Sequence, residues 1–149
     1  MRFIQQFLFA AFATLGFTLY YKVPKKSIFT TCIISGFMWL IYEYSLLKYN
    51  NYMGSGFSVS FLIGITSEFC AYYYKKPVTV FSLPCLIPIV PGAGMYYIMY
   101  YFIENNYELM VRNLTSTLFT AAGLSMGIVF SQALAKITKS VFGPKNPIK

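Results

Sequence analysis

The chain has 149 residues, of which 57% are hydrophobic and only 11% charged, and its mean hydropathy is +0.57. That leaves too little polar surface to coat a soluble domain of this size. The net charge of +8 is spread in small clusters between apolar runs, which argues against nucleic acid as a partner.

Five apolar runs of spanning length follow one another. The first is Phe3–Tyr21, 19 residues, with Lys22, Lys25 and Lys26 after it. A cleaved signal peptide carries its cations before a shorter apolar stretch and ends in a polar cleavage region, so this run reads as a first span. Ser27–Leu47 (21 residues) holds Glu43 about one turn from its far end, within reach of the headgroups. Gly56–Tyr74 (19 residues) holds Glu68 at its thirteenth position and is followed by Lys75 and Lys76. Thr79–Ile103 (25 residues) is interrupted by Pro84, Pro88, Pro91, Gly92 and Gly94. Leu114–Ile137 (24 residues) closes the series, with Lys136, Lys139, Lys145 and Lys149 at or beyond its end.

A helix needs about 20 apolar residues to cross a hydrocarbon core of roughly 30 Å. The expected fold class is therefore all-α: a polytopic membrane protein of about five transmembrane helices, the fourth broken at its Pro/Gly motif. Residues 1–141 form one integral membrane domain, and residues 142–149, with Pro144 and Pro147, read as a disordered cytosolic tail. The expected connections, Lys22–Lys26, Lys48–Ser55, Lys75–Val78 and Glu104–Asn113, hold no extramembrane domain. Nine of the twelve basic residues fall after the first, third and fifth runs. Positive-inside bias then places the amino terminus outside and the carboxyl terminus in the cytosol. Tyr20, Tyr21 and Tyr72–Tyr74 at one set of ends, and Tyr42, Tyr44, Tyr49, Tyr52, Tyr100 and Tyr101 at the other, read as interfacial belts.

Thr79–Ile103 is the most informative segment. Proline lacks a backbone donor and clashes with the preceding turn, so no continuous helix survives there. In hydrocarbon the freed backbone groups need protein, water or a ligand, and broken helices are how transporters turn backbone dipoles toward a substrate. Pro88 to Gly94 are expected to be non-helical near mid-membrane, with a half-helix beginning near Ala93 whose first amides attract an anion such as a carboxylate. The substrate-binding residues expected on this ground are Pro88, Pro91, Gly92, Ala93 and Gly94. The plainer alternative is a helix crossing where glycines permit close packing.

Glu68 is the carboxylate nearest mid-span. An intramembrane carboxylate costs roughly 2.5–3.5 kcal/mol on insertion scales. Its candidate role is proton coupling, against the alternative of a neutral hydrogen-bonding strut between helices. Gly123 and Gly127 form a small-residue packing face, and Asn113-Leu-Thr115 is a weak glycosylation match. Cys32, Cys70 and Cys85 are odd in number and lie in apolar runs; with no histidine in the chain, neither a disulfide framework nor a metal site is expected, and no cofactor. No nucleophile elbow and no phosphate loop are present, so no catalytic residues are assigned and the chain is not read as an enzyme.

The break also carries a family resemblance. Leu86-Ile-Pro-Ile-Val-Pro-Gly92 resembles the "IPLVPG" signature of threonine/serine exporters, in their small-subunit or carboxyl-terminal module. Gly16-Phe-Thr-Leu-Tyr-Tyr-Lys-Val-Pro24 is similar to the end of that family's first span. Gly64-Ile-Thr-Ser-Glu-Phe-Cys-Ala71 is similar to its third, and Lys76-Pro-Val-Thr-Val-Phe81 to the start of its broken segment. The resemblance runs from about residue 12 to 137. It implies a secondary exporter of threonine, serine or a related small carboxylate such as succinate in a bacterial inner membrane. A chain this short is similar to the small component, whose expected partners are a larger membrane subunit of the same family and the lipid bilayer; a homo-oligomer remains open. The competing reading is a structural or assembly subunit whose partner carries the pathway.

Overall fold

The computed structural model describes residues 2–21 and 23–142, with side chains described over residues 3–21 and 23–138. Expectations that fall on Lys22 and on the tail from residue 143, including Lys145 and Lys149, lie outside the described residues. Six helices and no strand are found among those described: α1 (Arg2–Tyr20), α2 (Lys25–Tyr49), α3 (Tyr52–Tyr74), α4 (Thr79–Leu86), α5 (Gly92–Ile103) and α6 (Tyr107–Phe142). Phe142, expected to open the tail, is the last residue of α6.

The helices run longer than the apolar runs because asparagines make the turns tight. Asn50 takes a left-handed conformation (φ 46°) to end α2, and Asn51 starts α3 by accepting the Gly54 amide at 3.0 Å. Asparagine suits both positions, tolerating the left-handed region and offering a side-chain oxygen as cap. The eight-residue loop expected at Lys48–Ser55 is thus a two-residue turn. The loop expected at Glu104–Asn113 shrinks likewise. Asn105 is left-handed (φ 57°), and Asn106 accepts the Leu109 amide at 3.3 Å, so α6 begins at Tyr107. Glu108, expected in a loop, sits in the first turn of α6, where the helix dipole favours a carboxylate.

Helices α1 and α2 form an antiparallel pair. Their contacts step in opposite directions along the two helices: the Gln6 side-chain amide donates to Glu43 (3.2 Å), Phe7 meets Phe37 edge-on, and the Thr14 and Ser35 hydroxyls pair at 2.6 Å in a fully buried position. Helix α4 wedges against α1, α2 and α3, burying Phe81, Pro84 and Cys85. The core gathers Met38 and Tyr42 of α2, Val59 and Ile63 of α3, Cys85 of α4, Ile89 of the segment after α4, and Leu124 of α6. Tyr42, expected at the interface, is therefore a core residue. Cys32, Cys70 and Cys85 are free thiols.

The closest packing in the molecule joins α3 and α6, and it rests on small residues. A methyl group added to Gly123 would collide with the Met53 carbonyl and approach the Phe57 amide at 3.0 Å; one on Gly127 would lie 2.5 Å from the Phe57 carbonyl. In return, one on Gly56 would lie 3.0 Å from the Thr120 carbonyl, and one on Gly64 would strike the Ser131 side chain. These partners ascend together along both helices, so α3 and α6 run parallel. Without β-carbons the two backbones come near enough for continuous dispersion contact, the main attraction available between helices in lipid.

Three helices are long and apolar enough to cross a membrane on their own: α1, α2 and α6. Helix α3 has the length, 23 residues, but the Gly, Ser and Thr residues that let it approach α6 dilute its apolar character. Helices α4 and α5 have 8 and 12 residues, each too short to span alone.

Candidate functional site

Between α4 and α5 the chain leaves the helical path for residues 87–91. The cause is local. Pro88 cannot donate to the Pro84 carbonyl, nor Pro91 to that of Ile87. The Ile89 and Val90 amides both fold back on the Leu86 carbonyl, at 2.9 and 3.0 Å. At Pro91 (φ −76°, ψ 58°) the chain makes an inverse γ-turn, closed by the Gly92 amide donating to the Val90 carbonyl at 2.7 Å. Pro91 is then the N-cap of α5.

The half-helix expected to begin near Ala93 begins at Gly92, so Gly92, Ala93 and Gly94, the last residues of the stretch expected to be non-helical, form the first turn of α5. Because Gly92 is committed to Val90 and Met95 donates to the Pro91 carbonyl at 3.4 Å, Ala93 and Gly94 are the donors left over by the helix start. Ala93 is exposed and Gly94 half-buried. The two glycines differ sharply. A β-carbon on Gly92 would meet nothing within 4 Å, and its φ is not positive, so neither close approach nor backbone geometry requires glycine there. One on Gly94 would collide with the buried Thr117 side chain, which makes Gly94 the seat of α5 on α6.

Pro91, Gly92, Ala93 and Gly94 are contiguous, but the other expected residues are not brought to them. Pro88 turns to the opposite side of the bundle and lines a groove with Gln6, Phe9, Ala10, Ala13 and Trp39. Glu68 is half-buried, in a different groove of about 500 Å³ between α3 and α6, beside Phe69, Tyr72, Ser131 and Leu134. The last glycine contact of the α3–α6 seam is Gly64 on Ser131, and the groove opens beside it. Since Gly94 sits at Thr117, Glu68 lies fourteen or more residues farther along α6, about 21 Å by helical rise. One small metabolite cannot touch both.

Two polar residues were missed as part of this region, Gln6 and Glu43. Glu43, expected within reach of the headgroups, accepts from Gln6 and stands one turn from Trp39 on α2. The available signal was Gln6 itself, an amide inside an otherwise apolar run.

The family model described as Threonine/Serine exporter, ThrE, matches residues 6–134. No curated protein and no solved structure matches the chain. The matched region runs from the first turns of α1 through most of α6, so it takes in α2 to α5, the turn at Pro91 and the groove at Pro88, and Glu68 with part of its groove. A helical chain with spanning helices, matched over nearly its whole described length, belongs to the threonine/serine exporter family, a family of membrane transporters rather than enzymes.

Proposed function

We propose that this chain is the small subunit of a two-component secondary exporter for threonine, serine or a related small carboxylate such as succinate, working with a larger membrane subunit of the same family in a bacterial inner membrane. The observation that carries the reading is the parallel packing of α3 and α6. Parallel neighbours require the chain between them to return to the face from which α3 started. Neither α4 nor α5 is long enough to do so, but residues 79–103 together are. This supports five crossings with the fourth broken, and the basic clusters after the first, third and fifth runs then favour an outside amino terminus and a cytosolic carboxyl terminus.

At the break, Pro88 and Pro91 end one half-helix, and Gly92, Ala93 and Gly94 open the next. The Ala93 and Gly94 amides at the positive end of α5 would hold the substrate carboxylate. Glu68 would carry protons, and its distance from that turn makes proton binding and carboxylate binding separate events on separate stretches of α6. A partner enters because α5 has no buried residue and packs only on α6. The same exposure favours the second reading, an assembly subunit whose partner holds the pathway.

Efflux of labelled threonine, serine and succinate from vesicles tests this. Vesicles with both subunits should export at least one, and vesicles with either subunit alone should not. Gly92→Val separates the readings, because the space beside Gly92 is open and the fold tolerates the side chain. Loss of export in an inserted Gly92→Val protein supports a substrate site at this turn; unchanged export leaves the assembly reading.

A further inference from the structure

We propose that the hairpin of α5 and the first turns of α6 is a dimerisation arm: its one apolar side docks on the same side of a second copy of this chain, and the two hairpins close into a four-helix bundle. The inference stands on the shape of the hairpin and its height relative to the other helices, so it does not depend on which metabolite is exported.

The hairpin stands beyond the rest of the molecule. Helix α2 is long and apolar enough to span, so its turn into α3 at Asn50 and Asn51 marks a membrane face. Phe119 of α6 lines a pocket with Tyr49, Asn51 and Met53, which puts it level with that turn. Because α6 runs parallel to α3, its earlier residues lie past the turn. Tyr107 comes twelve residues before Phe119, about 18 Å farther out by helical rise. Helix α5 returns alongside, seated by Gly94 on Thr117 and touching no other helix among the described residues. From Val90 to Ser116 no residue is buried. Most of the arm is past the reach of acyl chains, and its apolar surface is left for protein to cover.

That surface is one-sided. The seam of the hairpin follows half-buried Gly94, Ile98 and Tyr101 on α5, and half-buried Met110 and Asn113 with buried Thr117 on α6. A helix turns about 100° per residue, and in an antiparallel pair the positions just after each seam residue face the same way. Those positions are Met95, Met99 and Phe102 on α5 and Val111, Leu114 and Leu118 on α6, every one exposed. Phe102 meets Tyr107 edge-on at 6.4 Å, which ties the two rows together at the tip. Both rows step by four and three residues, the spacing of a seam that packs on further helices. The charged residues of the hairpin, Glu104, Glu108 and Arg112, fall outside both rows. Counting Tyr107, the seven side chains are 36–63% exposed. At about 150 Å² for a large side chain they offer roughly 500–600 Å², and the helix surface between them brings this near the standard of about 800 Å² per partner. A helical occupant must rise to the same height above the membrane. A second copy in the same bilayer does so by symmetry, because a two-fold axis along the membrane normal sets the hairpins level, like side to like side. The product is a four-helix bundle with its charges outside. Tyr96 and Ile103, on the far edge of α5, stay open to the larger subunit.

Cysteine cross-linking of the full chain in native membranes tests this. Under oxidation, Leu114→Cys should yield a disulfide-linked species of twice 17.0 kDa, and Arg112→Cys, outside the apolar side, should not. Wild type is the control, since Cys32 and Cys85 are buried and Cys70 is half-buried, all in other helices. Light scattering of the purified chain in detergent should give two copies per particle for wild type and one for Leu114→Glu. Pairing would bury the new carboxylates against each other, so association should weaken by at least about a hundredfold. Met99→Glu should do the same from α5. Circular dichroism of both variants should match wild type, because Leu114 and Met99 are exposed in the single copy. No dimeric adduct of Leu114→Cys, an adduct of any other mass, or equal cross-linking of Arg112→Cys overturns the second copy as occupant. So does a folded Leu114→Glu or Met99→Glu that remains dimeric. None of these readouts involves transport, so failure of the exporter reading would leave them unchanged.

Discussion

Replacing Gly123 with Ala adds one methyl group to α6 at the point where α3 lies nearest. The new carbon would collide with the Met53 carbonyl oxygen, approach its carbonyl carbon at 3.1 Å and the Phe57 amide nitrogen at 3.0 Å. All three are backbone atoms, so no rotamer change relieves the contact, and the helices must part by about 1 Å to restore ordinary separations of 3.5–4.0 Å. A radial gap of that size forfeits roughly a quarter to a half of each dispersion well along the seam. Overpacking of this kind costs about 1–3 kcal/mol, and the better helix propensity of Ala returns less than about 1 kcal/mol. Gly16→Ala is the internal control: a β-carbon there meets nothing within 4 Å, so only the propensity gain applies. Far-UV circular dichroism during SDS titration of the purified protein in detergent should show Gly123→Ala unfolding earlier than wild type and Gly16→Ala no earlier. Equal stability of the two variants would refute the close parallel seam.

Further outcomes follow from the same contacts. Gly94→Ala should lower stability or export through its collision with Thr117, and the double change Gly94→Ala with Thr117→Ala should restore it; failure of the second change to rescue would show that α5 is not seated there. Thr14→Val strands the buried Ser35 hydroxyl and should cost about 0.6–2 kcal/mol in the same SDS titration, with no loss if the 2.6 Å pair does not form. Glu68→Gln should keep the fold but weaken the pH dependence of export, and an unchanged pH profile would leave Glu68 a structural group. Cysteines introduced at Lys25 and Lys75 should react only from the cytosolic side, and labelling from outside intact cells would reverse the orientation.

Helix content and helix type were plain in the sequence because apolar runs of spanning length admit few alternatives. The ends of the helices were not, since the hydropathy of Lys48–Ser55 and Glu104–Asn113 reads as loop, while capping by Asn51 and Asn106 is a matter of hydrogen bonds that hydropathy ignores. The proline spacing marked Pro84 to Pro91 as a stretch hostile to helix, and α4 ends within it, at Leu86. The extent of the interruption was not legible: the γ-turn at Pro91 lets α5 begin at Gly92, so the first turn takes up residues expected to be irregular. Glu68 drew attention by its depth in one run, yet depth says nothing about which other helix stands at the same level. The Gln6–Glu43 pair depends on the register of α1 against α2, which appears only once the helices are packed.

The length of α6 has a consequence for how the protein sits in its bilayer. At 36 residues the helix is about 54 Å long, against roughly 30 Å of hydrocarbon. Hiding all of it by leaning would need an inclination above about 50°, well beyond the average of about 20° for spanning helices. Some turns must therefore stand in the headgroups or water, and Glu108 and Arg112 at one end and Lys136 at the other are suited to that place. Helix α5 packs along this rod, and Gly94 is seated at Thr117, ten residues into α6, about 15 Å along it by helical rise. The depth of the turn at Pro91 therefore follows how far α6 rises out of the hydrocarbon, not a count of residues along Thr79–Ile103.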